Sequence, residues 1–300
     1  MAYKVPENDG LDLIGRGLAR AWEEYGNPQA ALAFFVDSFD FNICDQRALE
    51  YAVYKYNPEI LIRRRIFDDI TTSCRLGAER ELFVNGEEIG VAYFRSGYSP
   101  RHYPSRKHWE ARLLIEKSKA IKSPNVGQQL VGSKKVQEVL SRPGVMEHYL
   151  KDELVCAKIR KTFAGLYSLE MTEDGDNSVL MAIRNPEHYV LKPQREGGGN
   201  NLYNDDIVDC LKEIGSDDRR CAFILMEKIS TLGTTNYILN EEDVRKAEIV
   251  GELGIFGVYL AGDQFFENYS AGYMLRSKPY ELNEGGVAIG NGAITAPYFV

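Results

Sequence analysis

"LKPQREGGGNNLY" occupies residues 191–203 and sets three consecutive glycines between a cationic, carboxylate-bearing run and two asparagines. Glycine has no Cβ, so successive glycines let several backbone N–H groups turn toward one anion at close range. The preceding "EHYVLKP" carries the β-branched and aromatic residues of a strand, giving strand, cation, carboxylate and glycine loop in that order. Lys192 can offset phosphate charge, and Glu196 offers the hard oxygen that Mg²⁺ takes alongside phosphates. The spacing fits neither GxxxxGK[ST] nor GxGxxG, so the P-loop and dinucleotide-binding patterns both fail. A solvated surface turn is the other meaning of a bare glycine triplet. The flanking lysine and glutamate favour a polyphosphate.

Outward from that loop, "DDIVDCLKEIG" (205–215) has helical period and "AFILMEKI" (222–229) is a second β-prone run. Its last residues, Met226, Glu227, Lys228 and Ile229, can present backbone N–H and C=O groups to an adenine edge, as any edge strand can. "AEIVGELGIFGVYLAG" (247–262) predicts a hairpin or two adjacent strands. In "MLRSKPYELNEGGVAIGNG" (274–292), Arg276 and Lys278 share one side of an extended run and a second glycine-rich loop follows. That pairing suits either a lid over an anionic intermediate or an ordinary surface strand.

The first half alternates helices with buried strands, which predicts an α/β layer. "GLDLIGRGLARAWEEYG" (10–26) is a helix closed by Gly26, "ALAFFV" (31–36) a buried strand, and "DQRALEYAVYKYN" (45–57) a helix with Asp45 as candidate N-cap. "EILIRRRIF" (59–67) is another strand. Asn85-Gly86 inside "RELFVNGEEIGVAYF" (80–94) is a strong hairpin signal. "HWEARLLIEKSKAI" (108–121) predicts a long amphipathic helix, and 134–165 a helical stretch interrupted at Arg142-Pro143-Gly144. Two polar clusters stand out. "FDFNICDQR" (39–47) places Asp40, Asn42 and Gln46 at a strand-to-helix junction, and "YFRSGYSPRHY" (93–103) gathers Arg95, Tyr98, Arg101 and Tyr103 around Gly97 in a loop after a strand. Arginine forks and tyrosine hydroxyls there suit carboxylates. Arg64, in "LIRRRIF", more commonly means a structural or solvated cation.

The chain has 300 residues, 44% of them hydrophobic and 27% charged, an ordinary globular balance with room for two domains. A net charge of −8 argues against a general nucleic-acid binder. No apolar run reaches the roughly 18 residues a membrane span needs. Five scattered cysteines without CxxC spacing and four histidines without a metal spacing point to a reducing, cytoplasmic setting rather than a disulfide or zinc scaffold. No Ser-His-Asp, Cys-His or paired-carboxylate arrangement appears.

With these residues assembled, the chain resembles the eukaryotic glutathione synthetase family. The resemblance rests on "FNICDQRALE", "VAYFRSGYSPRHY", "HWEARLLIEKS", "GSKKVQEVLSRPG", "TFAGLYSLE", "YVLKPQREGGGNNLY", "ILMEKI", "ELGIFGVY", "LRSK" and "EGGVAIGNGAI", in family order from about residue 10 to Val300. It implies a mixed α/β, ATP-grasp-type fold with an inserted α/β substrate-binding domain, divided here as 1–130 and 131–300. It implies ATP- and Mg²⁺-dependent joining of γ-glutamylcysteine to glycine through an acyl phosphate, by a homodimer. Position by position, Lys134 and Lys192 resemble the phosphate-holding lysines and Glu196 the magnesium ligand. Gly197, Gly198, Gly199, Asn200, Asn201 and Tyr203 resemble the phosphate loop, and Met226, Glu227, Lys228 and Ile229 the adenine strand. Glu252 resembles the ribose contact, Lys278 and Glu284 further ATP contacts, and Arg276 the substrate arginine. Val287 and Ala288 match the lid beside glycine; Asp40, Asn42, Gln46, Arg95, Ser96, Gly97 and Tyr98 match the dipeptide set.

Three positions depart from the family pattern: Asp40 replaces a common glutamate, Ser96 a common aspartate, and Glu284 a common aspartate. The resemblance also places a further region, with more magnesium ligands and a serine-containing substrate loop, ahead of the matched part. Residues 1–30 carry no such pattern, so the expected architecture is incomplete at the N-terminus. Two other readings follow: a non-catalytic isoform that binds nucleotide or a full-length subunit, and a related ligase with a different amine acceptor.

Overall fold

The computed structural model describes residues 4–195, 199–239, 244–287 and 290–298. Contacts divide the chain into two compact units, Met1–Asn125 with Gly233–Val300, and Val126–Leu232.

The first unit begins with α1 (Gly10–Tyr25), whose amphipathic period ends where Gly26 enters the left-handed region at φ 81° and donates to the Glu23 carbonyl. Then come β1 (Ala31–Val36), α2 (Ile43–Tyr56), β2 (Ile62–Ile66), α3 (Phe67–Ser73), β3 (Cys74–Leu76), β4 (Leu82–Val84), β5 (Glu87–Phe94), α4 (Arg106–Lys117) and β6 (Ile121–Ser123). The strands form one six-stranded sheet ordered β2-β1-β5-β4-β3, with β6 also on β5. β1 pairs parallel with both β2 and β5, and β5 with β6, whereas β4 pairs antiparallel. Asn85 and Gly86, both at positive φ, form the tight β4–β5 turn.

All six residues of β1 are buried. Leu32, Phe34 and Val36 face Leu18, Trp22, Leu49 and Val53 of α1 and α2. Ala31, Ala33 and Phe35 face Phe67 and Ile70 of α3 and Ala111 and Ile115 of α4. The continuous apolar run that predicted a buried strand is thus covered by helices on both faces, as parallel strands require.

Two expectations shift. Asn42 occupies the N-cap position of α2, so Asp45 lies in the first turn and pairs with Arg95 instead of capping. The helix expected over 108–121 runs 106–117, because Ile121 starts β6.

The second unit holds α5 (Val126–Val131), α6 (Lys134–Ser141), α7 (Val145–Tyr149), α8 (Glu153–Arg160), β7 (Leu166–Ser168), α9 (Glu173–Arg184), β8 (Tyr189–Pro193), β9 (Leu202–Tyr203), α10 (Asp205–Ile214) and β10 (Phe223–Glu227). Its sheet, β7-β10-β8-β9, is antiparallel throughout. Leu191 and Leu225 pack on Val179, Ala182, Ile207 and Leu211 of α9 and α10. Gly144 at φ 80° explains the helical interruption after Pro143.

The chain then returns to the first unit with β11 (Thr234–Leu239), β12 (Val244–Gly262), β13 (Phe265–Pro279) and β14 (Ala293–Thr295), an antiparallel sheet in that order. Residues from 233 onward therefore do not group with 131–232, as the expected division at 130 had it. The cause is α1: the Tyr269 hydroxyl donates to the Leu13 carbonyl at 3.1 Å, Arg20 pairs with Glu267 at 3.3 Å, and Leu260 packs into the α1–α2 core. The segment 247–262 is one long strand rather than a hairpin; the turn falls at Asp263-Gln264.

Phe35 is fully buried and stacks on Phe94 with centroids 5.1 Å apart. Phe35→Ala is expected to cost about 3–5 kcal/mol, read as a lowered denaturant midpoint with little change in slope.

Candidate functional site

Strand β1 leads through α2 to β2 on one side of it, while β5 lies on its other side. In a parallel sheet such a reversal leaves a crevice at the carboxyl ends of the strands. Here the chain after β1 (36–42), the end of β2 (66–68) and the loop after β5 (96–108) line a cavity of about 580 Å³. Asp40, Asn42, Ser96 and Tyr98 line it together with Asp37, Phe39, Phe41, Asp68, Arg101, His102 and His108. The two polar clusters noted in the sequence are brought together by this topology.

The remaining members of the set hold the wall. Asp40 accepts from the Asn42 backbone N–H at 2.8 Å and from Gln46 Nε2 at 2.7 Å. Gln46 is fully buried, and its Oε1 accepts from Arg64 Nη2 at 2.6 Å. Arg64 also pairs with the nearly buried Glu50 at 2.5 Å, and Arg47 reaches the same carboxylate at 2.6 Å. Arg64 is therefore structural, the commoner meaning of an arginine run, but its structure is that of the site. Arg95 pairs with Asp45 at 2.7 Å, while its backbone N–H continues the β1–β5 ladder to the Phe35 carbonyl at 2.7 Å. Ser96 is buried and donates to Asp37. Gly97 sits at φ 86°, and a Cβ there would lie 2.8 Å from Phe67 and the Tyr103 hydroxyl, so glycine is required on both counts.

Composition drew attention to arginines and tyrosines in this loop and passed over its histidines, which lack metal spacing. The structure gives them partners. His102 Nδ1 lies 3.1 Å from the Gly97 N–H and 3.2 Å from that of Ser99, and its Nε2 lies 3.4 Å from Asp37. His108 Nε2 lies 2.8 Å from Asp68, and its Nδ1 2.9 Å from Ser105. Burial holds His102 below the ordinary imidazole value, against the opposing pull of Asp37.

A second group forms on β12 and β13. Glu252 and Arg276 stand opposite in the ladder and are ion-paired. With Lys278, Val287 and three glycines of the second glycine-rich loop they line a cleft of about 20 Å³. Lys278 donates to the Leu282 and Asn283 carbonyls, which folds that loop back on the strand. Glu284 lies within the loop, and Ala288 lies outside the described residues.

In the second unit Lys192 is on β8, opposite Ile224 of β10, and Tyr203 is on β9 opposite Val190. Lys134 opens α6, and its Nζ donates to the Arg195 carbonyl at 2.9 Å. Asn201 lies 3.4 Å from the Tyr203 hydroxyl, and Gly199 adopts φ 78° beside Asn200. Glu196, Gly197 and Gly198 fall outside the described residues. Met226 and Glu227 end β10, followed by Lys228 and the exposed Ile229. The backbone N–H groups of Glu227 and Lys228 donate to the Gly165 and His188 carbonyls at 2.8 and 2.7 Å, at the end of a strand that is central in its sheet.

Comparison with known proteins supplies the context. Residues 1–299 match the family model described as the ATP binding domain of eukaryotic glutathione synthase. The chain belongs to that family.

It is 45% identical to the glutathione synthetase of Xenopus laevis over 296 residues, covering 98% of this chain and 62% of that protein. To the Homo sapiens glutathione synthetase it is 44% identical over 300 residues, 99% of this chain and 63% of that one. The chain thus spans somewhat under two thirds of the length of these relatives. Among solved structures, a glutathione synthetase-like effector of Globodera pallida in its apo form aligns with a TM-score of 0.74 at 21% identity, over 98% of this chain and 63% of that one. That likeness is one of fold. It agrees with the mixed α/β architecture described above.

Arg64→Ala would leave buried Gln46 Oε1 without its donor and Glu50 with Arg47 alone. The expected loss is about 2–4 kcal/mol of stability by denaturant melt, whereas Arg106→Ala, at an exposed helix pair, should change stability by less than about 0.5 kcal/mol.

Proposed function

We propose that this chain takes part in glutathione synthesis: ATP-dependent ligation of γ-glutamylcysteine to glycine. The observation that carries the reading is the convergence of Asp40, Asn42, Ser96 and Tyr98 on one cavity at the carboxyl ends of β1 and β5. Its volume of about 580 Å³ suits a small peptide. Its chemistry supports the same class, with carboxylates at Asp37, Asp40 and Asp68 for an ammonium group, Arg101 for a carboxylate, and phenyl rings for methylene and thiol.

In this reading a carboxylate oxygen of the dipeptide attacks the γ-phosphorus of ATP and ADP leaves. The glycine amine then attacks the acyl carbon, phosphate leaves, and the amine loses a proton. No side-chain nucleophile is needed; the protein's part is alignment, charge compensation and exclusion of water. Lys134, Lys192, Gly197, Gly198, Gly199, Asn200, Asn201 and Tyr203 take the phosphates, and Met226, Glu227, Lys228 and Ile229 flank the adenine. Glu252, Lys278 and Glu284 complete the nucleotide contacts. Arg276 takes the substrate carboxylate, with Val287 and Ala288 beside glycine. Mg²⁺ would be held by Glu196 together with phosphate oxygens. Among the described residues no three His, Cys, Asp or Glu side chains cluster as metal ligands. A cytoplasmic homodimer completes the proposal. No described helix is long and apolar enough to cross a membrane.

A second reading is a non-catalytic chain that binds nucleotide or a full-length subunit. Calorimetry and an ADP-release assay separate the two. The proposal expects binding of Mg-ATP and of γ-glutamylcysteine, with sustained ADP release over many turnovers only when glycine is also present. Nucleotide binding without release supports the second reading, and no binding of either ligand sinks both. Lys192→Ala should weaken Mg-ATP binding by about tenfold or more, some 1.4 kcal/mol, and leave dipeptide binding unchanged.

A further inference from the structure

The loop after β5 makes its turn through Gly97, and one side chain spans that turn. His102 Nδ1 faces two backbone N–H groups, those of Gly97 at 3.1 Å and Ser99 at 3.2 Å. A nitrogen that accepts carries no proton, so Nδ1 is an unprotonated nitrogen in this arrangement, while Nε2 stands 3.3 Å from Arg101 Nε. That side faces Asp37 at 3.4 Å, and Asp37 takes the Ser96 hydroxyl on its other oxygen. The imidazole is 7% exposed, with Tyr98 packed edge-on at 4.8 Å between centroids.

We propose that His102 is a positioning residue for the dipeptide loop, pinning Gly97 and Ser99 only while its imidazole is neutral, so that dipeptide affinity falls on acidification. The inference rests on the assignment of this cavity to the dipeptide. Protonated histidine has donors on both nitrogens and cannot accept. Adding a proton therefore turns two hydrogen bonds into two donor-to-donor contacts, and Tyr98 loses its support.

The charged neighbours set the window. Burial lowers the His102 pKa most, Arg101, with Nε 3.3 Å from Nε2, lowers it too, and Asp37 raises it. Asp68 and His108 line the same cavity but pair with each other. Because the folded value lies below the ordinary one of about 6.5, the neutral form contributes stability that is complete above that pH. The contribution is lost as pH falls through the ordinary value toward the folded one. Below the folded value the competent fraction drops about tenfold per pH unit, and apparent affinity with it.

His102→Asn separates pinning from titration, since the asparagine Oδ1 can accept the same two N–H groups and takes up no proton. Dipeptide affinity is measured by calorimetry on the full chain from about pH 8 down to the lowest pH at which the denaturant melt still shows a folded chain, a range that extends below the ordinary histidine value. Wild type should weaken toward acid, His102→Asn should stay nearly flat, and Mg-ATP affinity should show no His102-dependent change. His102→Leu should bind the dipeptide weakly at every pH while its denaturant melt confirms a folded chain. Hydrogen exchange at the Gly97 and Ser99 amides reads the pinning without substrate. A wild type that binds no dipeptide at any pH, with these amides still losing protection in acid, overturns the proposed function and takes the affinity claim with it. A dipeptide that binds while His102→Asn keeps the wild-type acid profile overturns this inference alone.

Discussion

The six residues of β1 leave no face to water, and this constraint organises the first unit. A strand covered by α1 and α2 on one side and by α3 and α4 on the other can present polar chemistry only at its ends. With β2 and β5 both parallel to it, three strand ends open onto one edge. Beyond those ends the backbone has left the ladder and must find partners elsewhere. It finds them in side chains of the same loops: Tyr103 donates to the Gly97 carbonyl at 2.7 Å, and His102 faces the Gly97 and Ser99 amides. The atoms that satisfy the loop backbone are therefore the atoms that shape the cavity.

Charge is handled along the same line. Asp40, Gln46, Arg64, Glu50 and Arg47 form a continuous chain of hydrogen bonds and ion pairs that runs from the cavity wall past buried Gln46 and Glu50 to the exposed Arg47. A buried carboxylate such as Glu50 is tolerated because two guanidinium groups reach it, and a pair broken on one side is far costlier than one never made. Ser96 illustrates the reverse case. An aspartate at this position would face Asp37 carboxylate to carboxylate and call for a shared proton or a cation. The serine donates instead, and leaves Asp37 free to face the imidazole.

Local chemistry was legible wherever one residue type dictates one geometry. Gly26 as a left-handed cap, Asn85-Gly86 as a tight turn and the apolar run of β1 all follow from backbone sterics or unbroken hydrophobicity. The candidate dipeptide residues were legible as two clusters, yet nothing in their spacing says that the ends of β1 and β5 adjoin; that is a property of strand order. Segment 247–262 was misjudged because Gly251, Gly254 and Gly257 punctuate it like turns, whereas each lies in a strand paired to β13. The return of 233–298 to the first unit depends on contacts such as Tyr269 to Leu13, more than 250 residues apart, which no window of sequence contains. His102 was passed over because its work is to accept two backbone hydrogens, and that leaves no periodic or metal-type signature.

The segment leading to the glycine stretch is tied down by ion pairs in the second unit. Glu138 is 2% exposed and takes Arg142 at 2.6 Å and Lys135 at 2.8 Å; Arg142 and Lys135 also reach Glu170. This cluster, centred on buried Glu138, fixes α6 to the segment before α9. From the first turn of α6, Lys134 donates to the Arg195 carbonyl, and the Lys135 backbone donates to Gln194 Oε1 at 3.0 Å. Gln194 in turn donates from its own backbone to Ala222 at 3.0 Å, beside the start of β10. The last two residues before Glu196 are thus anchored from both a helix and a strand. A rigid approach of this kind is what close contact with a polyphosphate would demand.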